Sequence, residues 1–426
     1  MTKIKEKRDA QEQPIVEKYE KGMFIEVGGQ IRKKSQVPMP DGSFEERFID
    51  WSIETIRRRY GNDMTKHIID EMPNYDGEVI VPQHINYQPV IGRYLNAYKP
   101  LKYAPMPGAN WEHVEKLMRH IFEEHYEMGL DYVQLIYCQP TQKLPVLLLV
   151  SEENGTGKST FCNFLRLIFG ENATEVTNDN LRSQFTSTWL SKLIVYIEET
   201  LLDRREDSEK IKNLVTANTA QSEAKGKDRV EVPLYAKFIM CSNDEERPVS
   251  LSPEDTRFWV RKVRPLPKNE RNTSNFLQEV EKEIPYFLHF LIHRQLSTTC
   301  EDRLWFRRDL IETDAWRKIV NSSRGILEKQ VSELLLEIME NCDLDVLRYS
   351  ATDLIRLLNY DGLKVERVAV RRLLQEKWKM KPDPRTQRYD LFMQDATRSE
   401  KYSSSSSTGK CYKFTREFLQ SLTIKN

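Results

Sequence analysis

LPVLLLVSEENGTGKSTF, residues 144–161, constrains the fold more than any other stretch of the chain. Its apolar run is nearly continuous, as a parallel strand buried on both faces requires. SEENGTGKS then reverses the chain. TFCNFLRLIFG follows, with Phe161, Phe164, Leu165 and Ile168 on one side of a helix that Gly170 stops. Strand, glycine loop, Lys-Ser and helix in this order make a phosphate-binding loop. Gly155 and Gly157 let backbone N–H groups face phosphate oxygens with no Cβ in the way, and the helix N-terminus adds its positive end. Lys158 offers a point charge to the β- and γ-phosphates of ATP, and Ser159 offers a hydroxyl to Mg²⁺. Asn154, Thr156 and Thr160 complete the expected ATP-binding set. Glu152 stands where the first glycine of such loops usually lies, a position that makes the turn and does not hold phosphate.

From Pro145 to about Pro265 strands alternate with helices, which predicts an α/β domain on a parallel sheet. WLSKLIVYIEET gives a second buried strand over residues 193–197, ending in two carboxylates. Glu198 is expected to hold the metal and Glu199 to polarise the attacking water. A third strand, YAKFIMCSND, puts Asn243 at its C-terminal end, where it orients water, senses the γ-phosphate or simply caps a turn. In SPEDTRFWVRKV, Arg257 and Arg261 are both candidates for an arginine finger on a neighbouring subunit's γ-phosphate, with Arg257 preferred. An ion pair with a nearby carboxylate is the alternative for each. The segment KIKNLVTANTAQSEAKGKDRVEVP carries a short basic loop. Lys225, Lys227 and Arg229 there suit a nucleic-acid strand, or equally a solvated turn.

The remaining segments set the boundaries. Residues 1–46 are polar, with GGQIRKKSQVPMPDGSF read as a hairpin or loop; a helix is predicted from about Glu46 to Met72, and YDGEVIVP has strand character. NWEHVEKLMRHIFEEH and GLDYVQLIYCQP are predicted helices leading into the phosphate loop, and IPYFLHFLIHRQL is a buried helix closing the domain. His289 and His293 in that helix have the spacing of a metal pair, but with no carboxylate between them they read as core or surface residues. Beyond Gly325, helices are predicted near residues 326–341, 350–358 and 365–378. Two strand-like runs, QRYDLFM and KCYKFT, then flank a flexible tip containing Ser403 to Ser407. The expected organisation is an N-terminal arm and small α/β region (1–95), a helical lead-in (96–143), the ATPase domain (144–300), a linker (301–325) and a C-terminal domain (326–426).

The 65 basic and 65 acidic residues cancel, so affinity for a polyanion must come from local patches. Six well-separated cysteines, with no Cys-x-x-Cys pair, argue against a zinc ribbon or a disulfide framework and for a reducing, cytoplasmic setting. No apolar run is long enough to cross a membrane.

The order NGTGKST, IVYIEE, LVTANTAQSEAKGKDRVEVP and FIMCSND resembles the Walker A, Walker B, B′ and C motifs of the superfamily 3 helicases. More specifically, it is similar to the AAA+ P-loop module of phage and poxvirus primase–helicases, over roughly residues 96–267. The resemblance implies an AAA+ ATP hydrolase working as a hexameric ring on single-stranded and forked DNA in an infected bacterial cell. It also implies an arginine donated in trans, and Lys225 or Lys227 on a loop lining a central channel. A separate primase or origin protein is the expected partner, because the upstream region is short for a catalytic primase domain. An initiator or loader that remodels protein on DNA is the alternative function. The C-terminal helices and strands are similar to the winged-helix-like domain that often ends this group. Within them Arg367, Arg371 and Arg372 form a candidate DNA-binding face, a dock for a partner protein or simply a solvated basic face.

Overall fold

The computed structural model describes residues 18–423 apart from 40, 41, 43, 109, 184, 185, 201, 203, 204, 224–228, 268–272, 364 and 395–400. The chain divides into two compact units between Pro100 and Leu101.

In the first unit, Phe24–Val27 and Gln30–Pro38 form a hairpin across Gly28 and Gly29. Both glycines have positive φ (57° and 78°), which a two-residue turn of this hand requires. Phe44–Asp50 adds to Gln30–Pro38 as an antiparallel edge strand, so the helix expected from Glu46 begins later. The reason is local: the Ser52 hydroxyl accepts the Thr55 N–H (3.2 Å), capping a helix that runs only over Ile53–Tyr60, followed by Asn62–Glu71. Phe24, Ile31, Ile56 and Ile68 are the buried core of this unit.

The second unit is built on five parallel strands: β1 (Val146–Val150), β2 (Ala173–Glu175), β3 (Ile194–Ile197), β4 (Lys237–Ser242) and β5 (Phe258–Lys262). Their order across the sheet is β5-β1-β4-β3-β2. Side chains alternate between faces. Val146, Leu148, Val150, Val195, Ile197, Met240 and Val260 pack into one layer with Trp189, Trp316 and Ile319. The helices α1 (Glu112–Phe122), α2 (Tyr126–Cys138), α3 (Lys158–Phe169) and α4 (Thr273–His293) also pack around the sheet. There Trp259 stacks on Phe122 (5.2 Å between ring centres) and Phe161 meets Phe122 edge-on (5.5 Å). Trp111 before α1 makes no side-chain cap. The buried Glu283 carboxylate of α4 does this instead, accepting the His113 and Val114 N–H groups at 2.8 and 3.0 Å, where the helix dipole favours an anion.

The stretch expected as a linker is packed. It holds the short helix Arg308–Ile311 and the start of α5 (Asp314–Asn341), which runs without a break past residue 325. Trp316, Ile319 and Val320 of α5 lie in the sheet's core, whereas Val331, Leu335, Ile338 and Met339 lie in a second core with α6 (Ala351–Tyr360). The next helix, α7 (Arg367–Arg372), is short and passes into a π-helical turn over Leu373–Lys377. The two strand-like runs do not pair with each other. Cys411–Thr415 pairs with Val346–Ser350, and Gln387–Gln394 pairs with Tyr402–Gly409. The serine run is therefore a strand, not a flexible tip. The strand beside it, Gln387–Gln394, takes up its backbone groups, Tyr402 is buried, and the Ser407 hydroxyl donates to Asp353 (2.9 Å).

Candidate functional site

Because β1, β4 and β3 are neighbours and parallel, whatever follows each strand lies at the same edge of the sheet. Three segments meet there: the glycine loop after β1, Asn243 after β4, and Glu198 and Glu199 after β3. They line a cavity of about 240 Å³ that includes Asn154, Gly155, Thr156, Gly157, Lys158, Ser159 and Thr160, with Asn163, Cys241, Ser242 and Leu266 from the walls. Gly155 and Gly157 have φ of 70° and 91°, and Gly157 is the N-cap of α3, so the loop takes the left-handed turns that glycine permits.

The Lys158 ammonium donates to Asn243 Oδ1 (2.9 Å), to the Ser151 hydroxyl and to Thr156 Oγ1 (3.4 Å). Burial lowers its pKa from the ordinary lysine value, and the Cys241, Glu245 and Glu198 side chains oppose that shift. A bound phosphate adds anionic charge at the same place and favours the charged ammonium. The Ser159 hydroxyl donates to Glu198 Oε2 (2.9 Å), joining the hydroxyl and carboxylate expected to hold a metal. Oxygen donors of this kind suit Mg²⁺, a hard cation. Glu199 is exposed and has φ 53°, uncommon for a residue with a Cβ. The Asn178 amide donates to its carbonyl (3.3 Å), and the following N–H, of Thr200, donates to the Cys241 carbonyl (2.7 Å).

Not every expected residue is placed for its expected role. Arg261 is buried: its guanidinium donates to Glu124 (2.7 Å), His125 Nδ1 (2.7 Å) and the Phe122 carbonyl (2.9 Å). Held within its own subunit, it is not placed to serve as an arginine finger, and the ion-pair alternative describes it. The same bond holds the Glu124 carboxyl down at about 2. Arg261→Met is expected to cost about 1–2 kcal/mol of folding stability in urea melts, chiefly because the Phe122 carbonyl loses its donor, the Glu124 carboxylate left behind being mostly exposed. A carboxyl with a lowered folded pKa stabilises above its unfolded value and loses that contribution as pH falls. The stability lost between pH 4.5 and about 2 should therefore shrink in the variant, modestly, since the Glu124 side chain is 63% exposed.

Arg257 lies just before β5, and its carbonyl accepts the Val146 N–H (2.8 Å). It sits at the opposite end of the sheet from the glycine loop, half-buried, with no ion pair among the described residues. Arg229 donates to Glu223 (2.6 Å) in the hairpin of Thr219–Ser222 and Val230–Pro233; Lys225 and Lys227 lie outside the described residues. In the C-terminal region Arg367 and Arg371 are exposed, whereas Arg372 pairs with Glu254 (2.5 Å) and is half-buried. His293 Nδ1 lies 2.8 Å from the His289 carbonyl. Four contributors carry no motif spacing: His120, whose ring nitrogen meets the Thr156 carbonyl at 2.8 Å, Ser151, Glu245 and Lys318.

Residues 149–261 match a family of unknown function, DUF5906. The chain is 27% identical over 257 residues to a DNA primase-polymerase of Nitratiruptor phage NrS-1; the match covers 58% of this chain and 34% of that protein. It thus spans about a third of the length of that relative. Solved apo structures of the NrS-1 C-terminal region share the fold. One has a TM-score of 0.52 at 21% identity, over 74% of this chain and 75% of that one. Another has a TM-score of 0.53 at 17% identity, over 92% and 94%. The chain is similar to a phage replication protein. Among the described residues, no helix is long and apolar enough to cross a membrane.

Proposed function

We propose that this chain is the ATP-hydrolysing motor of a phage DNA-replication protein, an AAA+ module of superfamily 3 type that moves on single-stranded DNA as a ring. The observation that carries the reading is the 2.9 Å bond between Ser159 and Glu198, inside the cavity that also holds Lys158, Glu199 and Asn243. The sheet order and the similarity to a phage primase-polymerase support it.

In this reading Ser159 and Glu198 hold Mg²⁺, which when bound neutralises charge on the phosphate oxygens. The loop N–H groups and Lys158 grip the β- and γ-phosphates. Glu199 accepts a proton from water and Asn243 orients that water. Arg257 of one subunit stabilises the transition state in its neighbour's site. Lys225, Lys227 and Arg229 follow the DNA strand through the channel. The C-terminal region, residues 326–426, is read as winged-helix-like, with Arg367 and Arg371 meeting DNA phosphates.

Forked-duplex unwinding with Mg-ATP tests the reading: strand separation is the expected result. DNA-stimulated hydrolysis with no separation would instead assign a loader or initiator. Replacing Arg367 and Arg371 together by alanine should weaken duplex binding by about tenfold and lower the salt slope by about 2, one for each lost phosphate contact. An unchanged salt slope would remove these arginines from the DNA-binding face.

A further inference from the structure

Glu245, two residues beyond Asn243, is a buried carboxylate outside the cavity. It accepts the backbone N–H of Glu152 (3.3 Å), pairs with Lys262 at the end of β5 (2.8 Å) and pairs with Lys318 on α5 (3.3 Å). Lys318 also reaches Glu152 (3.5 Å) and Glu246 (3.7 Å). Four elements therefore meet at one side chain: the first residue of the phosphate loop, the segment after β4, the end of β5, and the long helix. That helix carries side chains of both the sheet's core and the C-terminal core.

We infer that Glu245 is a positioning residue, which fixes the first turn of the phosphate loop and, through Lys318, ties that loop to the helix of the C-terminal core. The inference rests on the nucleotide reading of the loop. It also explains how glutamate is tolerated where a glycine is usual. The contact at position 152 is made by the main-chain N–H, which any residue but proline supplies, and the Glu152 side chain points its charge toward Lys318. Burial pushes the Glu245 pKa up, but the bonds from Lys262 and Lys318 outweigh it, so the group is held as a carboxylate. Both lysines keep solvent access (side chains 57% and 40% exposed), so losing the anion does not leave a buried cation unpaired.

The test uses the full chain and four variants: Glu245→Gln, Lys318→Met, their combination, and Glu152→Ala. Two readouts are taken, hydrogen exchange at residues 152–157 without nucleotide, and affinity for a fluorescent Mg-ADP. Glu245→Gln and Lys318→Met should each speed exchange in the loop and weaken ADP binding by about tenfold, as a small misplacement of a binding group does. The double variant should be no worse than the stronger single one, because the two residues act as a unit. Glu152→Ala should stay within about twofold, since its amide remains. Unchanged loop exchange in Glu245→Gln and Lys318→Met, or losses that add in the double variant, overturns the inference. If Glu245→Gln does not fold, Lys318→Met decides it alone. A wild-type chain that binds no ADP refutes the nucleotide reading instead, and loop exchange still decides the role of Glu245.

Discussion

Lys158→Ala should abolish useful nucleotide binding, weakening it by about a hundredfold or more, the scale set by losing a charge-assisted contact to phosphate. Among the described residues the ammonium is the one cation lining the cavity, and Asn243, Ser151 and Thr156 already orient it. The alanine removes that charge and also the donor on which Asn243 Oδ1 rests. Ser151 keeps a partner, because its hydroxyl donates to the Glu153 carbonyl (2.8 Å), so the loop should hold its shape. Titration with fluorescent ATP measures the loss, and a urea melt of the same protein separates it from unfolding. Undiminished affinity in a folded variant would mean that the cavity is not a phosphate site.

Glu199→Gln should do the reverse, leaving ATP bound but lowering kcat by about 10²- to 10⁴-fold, the range for loss of a general base. The amide has the same shape, so the left-handed backbone at Glu199 and its bond from Asn178 are expected to persist. What is lost is the ability to take a proton from water. Glu198→Gln should differ in kind: its partner is Ser159, so the loss should fall on the Mg²⁺ requirement as well as on turnover. Single-turnover hydrolysis beside equilibrium binding distinguishes the two. If Glu199→Gln turns over normally, water activation belongs to another group.

The site was legible in the sequence where its chemistry follows from chain direction. A buried strand ending in a glycine loop, and others ending in Glu198 and Asn243, converge once the sheet is parallel, and the sheet order does the rest. The serine strand was not legible, because its pairing is supplied by Gln387–Gln394 and by Asp353, contacts that composition does not encode. The helix expected from Glu46 failed for a similar reason: an edge-strand partner decides the state of Phe44–Asp50, and Ser52 marks the true start. Arg257, just before β5, and Arg261, four residues on within it, looked alike in sequence. One sits at the sheet's far end, while the other is enclosed by Phe122, Glu124 and His125 of the lead-in. Glu245 and Lys318 carry no motif at all; only the folded chain brings Lys318 to the loop.

Steady-state phosphate release by the purified chain with Mg-ATP, with and without single-stranded DNA, bears most directly on whether the residues around Lys158 form a motor. The expected result is release that DNA stimulates, that chelation of Mg²⁺ stops, and that is absent in Lys158→Ala. Release that persists in Lys158→Ala, or a chain that binds ATP and never hydrolyses it whatever its assembly state, would contradict it.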